Sequence, residues 1–116
     1  MNVSEGKSFE FAVKVIETAK EMRSKHNEYE LTSQFVRSGT SIGANVCEAI
    51  KAQSRRDFIA KMSIASKEAN EVRYWIRLMK RTGYISEEQG DELLKSADEL
   101  VRILTSIVKS SQEKNS

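Results

Sequence analysis

Between Ser8 and about Lys25, the residues Phe9, Ala12, Val13, Ile16 and Ala19 recur at intervals of three and four, which places them on one face of an α-helix. Phe11, Val15 and Met22 form a second apolar row, roughly 200° to 240° around from Phe9. Together the rows are wider than one core seam needs. Either this helix is deeply wrapped or one row serves a second interface, and the second reading is preferred. Met1 to Lys7 is polar and reads as a loose lead-in. His26 to Glu30 reads as a connection, with Asn27 and Glu30 spaced like a helix N-cap and its partner at the third helical position. A second helix is predicted over 31–53, with Leu31, Phe35, Ile42, Val46 and Ala49 as its apolar row. Ser54 followed by Asp57 marks the start of a third helix over 55–82. Its main stripe is Phe58, Met62, Ala65, Ala69, Val72, Ile76 and Met79, and a second row contains Ile64, Glu68, Glu71, Trp75 and Leu78. Gly83 is a helix terminator. Ser86 and Gln89 have capping-box spacing, with Glu87 and Glu88 favourable at the positive end of a fourth helix over 87–111. That helix carries Leu93, Ala97, Leu100, Leu104 and Ile107, flanked by Val101 and Val108. The last five residues are polar and expected to fray. Four amphipathic helices joined by short turns predict an all-α fold, an antiparallel up-down-up-down four-helix bundle formed by residues 1–116 as a single domain.

The second helix breaks the ordinary pattern. Gln34, Arg37, Ser38, Ser41, Asn45 and Glu48 share one face, directly beside the apolar row. Two readings follow. In the structural one, Arg37 pairs with a carboxylate such as Glu48, Glu68 or Glu71 while Ser38, Ser41 and Asn45 hydrogen-bond across to other helices or subunits. Arginine suits that role because its planar fork satisfies a carboxylate while staying charged. In the functional one, the row lines a ligand groove. The structural reading is favoured because the row sits mid-helix beside apolar neighbours. Gly39 and Gly43 each cost a helix about 1 kcal/mol relative to alanine, which is offset when another backbone approaches closely. Their small-xxx-small spacing occurs in membrane helices, but the neighbours are too polar for lipid, so close contact within a bundle is the reading adopted.

Composition narrows the chemistry. Among 116 residues, 31% are charged yet the net charge is only +2, so bulk charge does not argue for nucleic acid. Proline is absent, consistent with a nearly all-helical chain. The single cysteine, Cys47, forbids an internal disulfide and suits a reducing, cytoplasmic setting. It lies near the apolar side of its helix and is expected to be a buried structural thiol. No stretch approaches the roughly 20 apolar residues of a membrane span, and no signal peptide is visible. A carboxylate-bridged metal pair, the first enzymatic expectation for such a bundle, needs Glu-x-x-His motifs, whereas the chain has one histidine, His26, in a connection. No phosphate loop, nucleophile elbow or Cys-x-x-Cys occurs. The pattern therefore predicts no enzyme, no cofactor and no metal site. Basic residues do gather locally. Arg73, Arg77, Lys80 and Arg81 recur along the third helix near Tyr74 and Tyr84, and Lys51, Arg55, Arg56 and Lys61 surround the turn before it. Such groups can contact RNA or DNA phosphates, with tyrosine stacking on an unpaired base. The competing reading is an ordinary solvated face.

Ser33-Gln34-Phe35-Val36-Arg37-Ser38, followed by Ser41-Ile42, Ala44-Asn45 and Glu48, resembles the bacterial four helix bundle protein family, which includes proteins encoded in intervening sequences of large-subunit (23S) ribosomal RNA genes. Asp57-Phe58, Ser63-Ile64-Ala65, Glu71 and Gly83-Tyr84 match as well, so the resemblance spans nearly the whole chain. It implies a small left-handed antiparallel bundle that assembles as a homo-oligomer, typically a pentamer, and it implies no established activity. A similar bundle accompanies reverse transcriptases of diversity-generating retroelements, which makes nucleic acid a candidate partner. Two positions depart from the family pattern. Asn45-Val46-Cys47-Glu48-Ala49 stands where many members have Asn-Ile-Ala-Glu-Gly, so the second helix is expected to run further. Lys67-Glu68 replaces a glycine-serine pair, which puts a close helix contact there in doubt.

Overall fold

The Asn2 carboxamide oxygen accepts hydrogen bonds from the Glu5 amide at 2.8 Å and the Ser4 hydroxyl at 2.7 Å, which starts a helix well before the first aromatic residue. The computed structural model describes residues 2–113, and four helices make up its regular structure: α1 (Val3–His26), α2 (Glu30–Ile50), α3 (Arg55–Arg81) and α4 (Glu87–Glu113). The lead-in expected to be loose is therefore helical from Val3. Where fraying was expected the helix runs through Glu113, and the same expectations for Met1 and residues 114–116 fall outside the described residues.

Each junction has a local cause. Asn27 ends α1 in the left-handed conformation (φ 54°), its amide bonded to the Arg23 carbonyl at 3.1 Å. It closes the first helix and does not cap the second, which corrects the sequence reading. The amides of Leu31 and Thr32 are taken instead by the Glu28 carboxylate, at 2.9 and 3.0 Å. α2 stops at Ile50, not 53, and the better helix former at Ala49 does not extend it. Ser54 caps α3 as expected, accepting from the Asp57 amide at 3.0 Å. Gly83 (φ 82°) then lets the amides of Tyr84 and Ile85 fold back on the Met79 carbonyl. Ser86 caps α4 through the Gln89 amide at 3.1 Å.

Consecutive helices pack side by side, α1 on α2, α2 on α3 and α3 on α4, and α1 meets α4 along a thinner seam, so the antiparallel four-helix bundle is confirmed. It is a rod of 49 × 22 × 20 Å. The predicted stripes of α2, α3 and α4 supply the core, with Phe35, Ile42, Val46, Met62, Val72, Ile76, Met79, Leu100 and Leu104 shut off from solvent. Each such side chain contributes about 1.5–3 kcal/mol.

The first helix is the exception. Its inward face is the row Phe11, Val15, Ala19 and Met22, extended toward the N-terminus by buried Ser4 and Ser8. Of the row Phe9, Ala12, Val13, Ile16 and Ala19, the large side chains Phe9, Val13 and Ile16 point to solvent while Ala19 turns inward. Small residues explain the choice. Val15 lies against Gly39 and Ser8 against Gly43, so α1 and α2 approach to a distance that a larger side chain on either face would prevent. The close contact expected of the two glycines is thus made within the bundle.

Candidate functional site

α2 and α3 lie side by side, and the polar row of α2 runs along their shared edge. Arg37 reaches across to two carboxylates one helical turn apart on α3. Its Nη1 donates to Glu68 Oε2 at 3.1 Å and its Nη2 donates to Glu71 Oε2. Trp75 Nε1 donates to the same Glu71 oxygen at 3.1 Å, and Arg37 Nε donates to Gln34 Oε1 at 3.4 Å. Glu68 is the covered member, its side chain 15% exposed against 49% for Arg37. One guanidinium between two carboxylates leaves the cluster at −1, and half-exposure of Arg37 limits the pairs to about 0.2–1 kcal/mol each.

The rest of the row does something else. Ser38 donates to the Gln34 carbonyl at 3.0 Å, Ser41 to Arg37 at 2.6 Å and Asn45 to Ser41 at 2.8 Å, all one turn back along α2. The expected bonds from these three to other helices are absent from the described residues, because a short side chain meets its own i−4 carbonyl first. Glu48 does not join Arg37, from which it stands three turns away, about 16 Å along the axis. It pairs with Lys61 at 3.5 Å. The row therefore divides into one inter-helix cluster (Gln34, Arg37, Glu68, Glu71, Trp75), one ion pair, and three side chains satisfied within α2.

The basic residues divide too. Arg73 is engaged by Asp98 at 2.9 Å and Asn70 at 3.2 Å, and Lys80 by Asp91 at 2.5 Å. The Asp91 carboxylate, through that hydrogen bond and its charge, holds the Lys80 ammonium above the ordinary lysine range. Lys51, Arg55, Arg56, Arg77 and Arg81 are exposed and make no ion pair among the described residues. Arg55 and Arg77 stand at opposite ends of α3, about 33 Å apart, so the two groups are not one patch. The second has relief. Tyr74, Arg77, Leu78, Lys80, Arg81, Glu87 and Leu94 line a groove of about 660 Å³ between the end of α3 and the start of α4.

Among the described residues, no group of three or more His, Cys, Asp or Glu is placed to hold a metal ion. Cys47 is exposed, not buried as its spacing suggested, its Sγ 4.0 Å from Glu5 Oε2. The step of about 100° between Val46 and Cys47 carries the thiol off the core seam. His26 ends α1 and packs edge-on against Tyr84, with ring centroids 5.2 Å apart. Among the described residues no helix is long and apolar enough to cross a membrane. The sequence reading gave one row of α1 to a second surface without saying which, and the structure turns Phe9, Val13 and Ile16 outward. Val15 opposite Gly39 and Ser8 opposite Gly43 were the available signal.

A family model described as 23S rRNA-intervening sequence protein matches residues 4–106. The fold is also that of a solved structure from Bacteroides thetaiotaomicron VPI-5482, a protein with unknown function from the S23 ribosomal protein family. The two share 47% sequence identity at a TM-score of 0.90, with 92% of this chain and 99% of that one covered. No curated protein matches the chain.

Proposed function

The chain belongs to the 23S rRNA-intervening sequence protein family, and from that premise we propose that it is a non-enzymatic protein of the bacterial cytoplasm that works as a homo-oligomer. One observation carries this reading. Phe9, Val13 and Ile16 are 63%, 37% and 43% exposed on the face of α1 turned away from the core. An apolar stripe of that kind, on a helix already packed on its other side, is where a partner surface is expected. A second copy of the chain is the simplest partner, and a pentamer is the stoichiometry the family resemblance implies. Gln34, Arg37, Glu48 and Glu71 then serve the bundle, keeping α2 and α3 in register through the Arg37 cluster and the Glu48–Lys61 pair, while Ser38, Ser41 and Asn45 bond along α2 itself.

Light scattering on the purified chain tests the assembly. A monomer at micromolar concentration would sink it. Arg37→Ala tests the row, with a lower midpoint of thermal unfolding expected; unchanged stability and assembly would remove its structural role.

A second reading is favoured by Lys51, Arg55, Arg56, Arg77 and Arg81, exposed and without an ion pair among the described residues. On this reading the protein is an accessory that contacts RNA or DNA phosphates, Arg73 and Lys80 being already engaged. A titration against salt separates the two, since phosphate contacts give a steep fall of affinity with salt and a pure assembly protein gives no binding.

A further inference from the structure

Two surfaces of this chain complement each other. On α1, the stripe Phe9, Val13 and Ile16 is bordered by Glu10, Glu17 and Glu21, none of which makes an ion pair among the described residues. The neighbouring cations Lys7 and Lys14 are held by Glu99 and Glu92 of the chain's own α4, so they do not neutralise that border. Lys20 adds one positive charge at the far end, leaving the edge acidic overall. At the other side of the bundle, the α3–α4 groove offers Leu78 and Leu94 with the ring of Tyr74, which is 54% exposed. Its rim carries Arg77 and Arg81, without an ion pair among the described residues, while Glu87 is the acid on its lining. Glu17 and Glu21 have the same one-turn separation as Arg77 and Arg81, about 6 Å. α1 makes no contact with α3 in its own bundle, so the stripe does not fill the groove of its own chain.

We propose that the acidic apolar stripe of α1 in one copy docks into the basic α3–α4 groove of the next copy. The inference rests on the self-association proposed above and deepens it by naming both faces. Because the faces differ, the contact is heterologous: it generates a ring if the rotation between neighbours closes and a filament if it does not. Apolar contact between the stripe and the Leu78, Leu94 and Tyr74 surface supplies the attraction, and the opposed charges set register and exclude the stripe-on-stripe pairing.

Charge reversal tests it on the full chain. The variants are Glu10→Lys/Glu17→Lys/Glu21→Lys, Arg77→Glu/Arg81→Glu, and all five changes together, each checked for helix content by circular dichroism. Light scattering and sedimentation read the assembly. Either partial variant is expected to weaken association by about tenfold or more, and the five-fold variant to recover it, because the charges are exchanged and not removed. A 1:1 mixture of the two partial variants also reassociates, with unlike neighbours alternating, as an open chain or an even ring and not as a closed ring of five. Dissociation by the α1 variant with the Arg77/Arg81 variant still fully assembled overturns the inference, since the stripe then packs elsewhere. So does an Arg77/Arg81 variant that stays assembled but loses binding to an RNA oligonucleotide, which gives the groove to nucleic acid. A wild-type chain that is itself monomeric overturns the self-association reading, whereas an assembled wild type indifferent to all three variants overturns the inference alone.

Discussion

Gly39→Ala places one methyl group where α1 and α2 are closest. A Cβ at position 39 would stand 2.7 Å from Val15 Cγ2 and 2.9 Å from Cγ1. Val15 is completely buried, and a β-branched residue in a helix has essentially one χ1 rotamer, so it has nowhere to turn. Two effects oppose each other. Alanine in place of glycine in a helix interior gains about 1 kcal/mol. Overpacking a filled interface costs about 1–3 kcal/mol, and contact with both methyls of a rigid valine belongs in the upper part of that range. The net expectation is destabilisation by about 1–2 kcal/mol, a fall in Tm of roughly 4–8 °C for a chain of this size. Gly43→Ala is the internal control, one turn along the same helix. Its Cβ would meet Ser8 Oγ at 3.4 Å, an ordinary contact, so the propensity gain survives and stability rises by about 0.5–1 kcal/mol. Urea denaturation at fixed protein concentration, followed by circular dichroism and by Trp75 fluorescence, measures both. Adding Val15→Ala should relieve the clash, giving a coupling of about 1 kcal/mol or more between positions 15 and 39. A Gly39→Ala variant at least as stable as wild type, or a Val15→Ala/Gly39→Ala pair that is strictly additive, would refute the reasoning.

Ser54→Ala removes the acceptor for the Asp57 amide and should cost about 1 kcal/mol in the same denaturation assay; no change would mean that α3 starts without its cap. Lys80 is held above the ordinary lysine range by Asp91, so the charged form is favoured in the folded chain. The resulting stabilisation is complete below the unfolded lysine value of about 10.4 and is lost as pH rises through the folded value. The stability gap between wild type and Lys80→Met should therefore be level from about pH 7 to 10 and narrow above that, and a gap that widens at high pH would contradict the assignment. Because Cys47 is exposed, a thiol reagent should label the native chain to the same extent as the urea-unfolded chain, with native rates within about tenfold. Labelling that requires unfolding would place the thiol back in the core.

Several elements were legible in residue order because their causes are local. The Ser54–Asp57 and Ser86–Gln89 caps, the Gly83 terminator and the apolar stripes of α2, α3 and α4 each depend on residues within a turn or two of each other. Asn27 was misread because the residue types that cap a helix start also tolerate the left-handed conformation that ends one, and spacing alone does not separate them. The polar row was found as a set, yet its division was not, since each short side chain had an acceptor one turn behind it on its own helix.

Periodicity along the chain named the helices, their approximate limits and the fold class. It left undetermined which of two apolar faces of α1 turns inward, which carboxylates Arg37 would reach, and which cations would remain unpaired. Those outcomes depend on how closely neighbouring helices approach, and that distance is set jointly by Val15 with Gly39 and Ser8 with Gly43, residues far apart in the sequence. Side-chain size alone would favour the Phe9, Val13 and Ile16 row for the core, while periodicity offered both rows. Close contact selected the face of Ser4, Ser8, Phe11 and Val15 instead, because small residues let the two helices meet, and the larger apolar stripe was left facing outward.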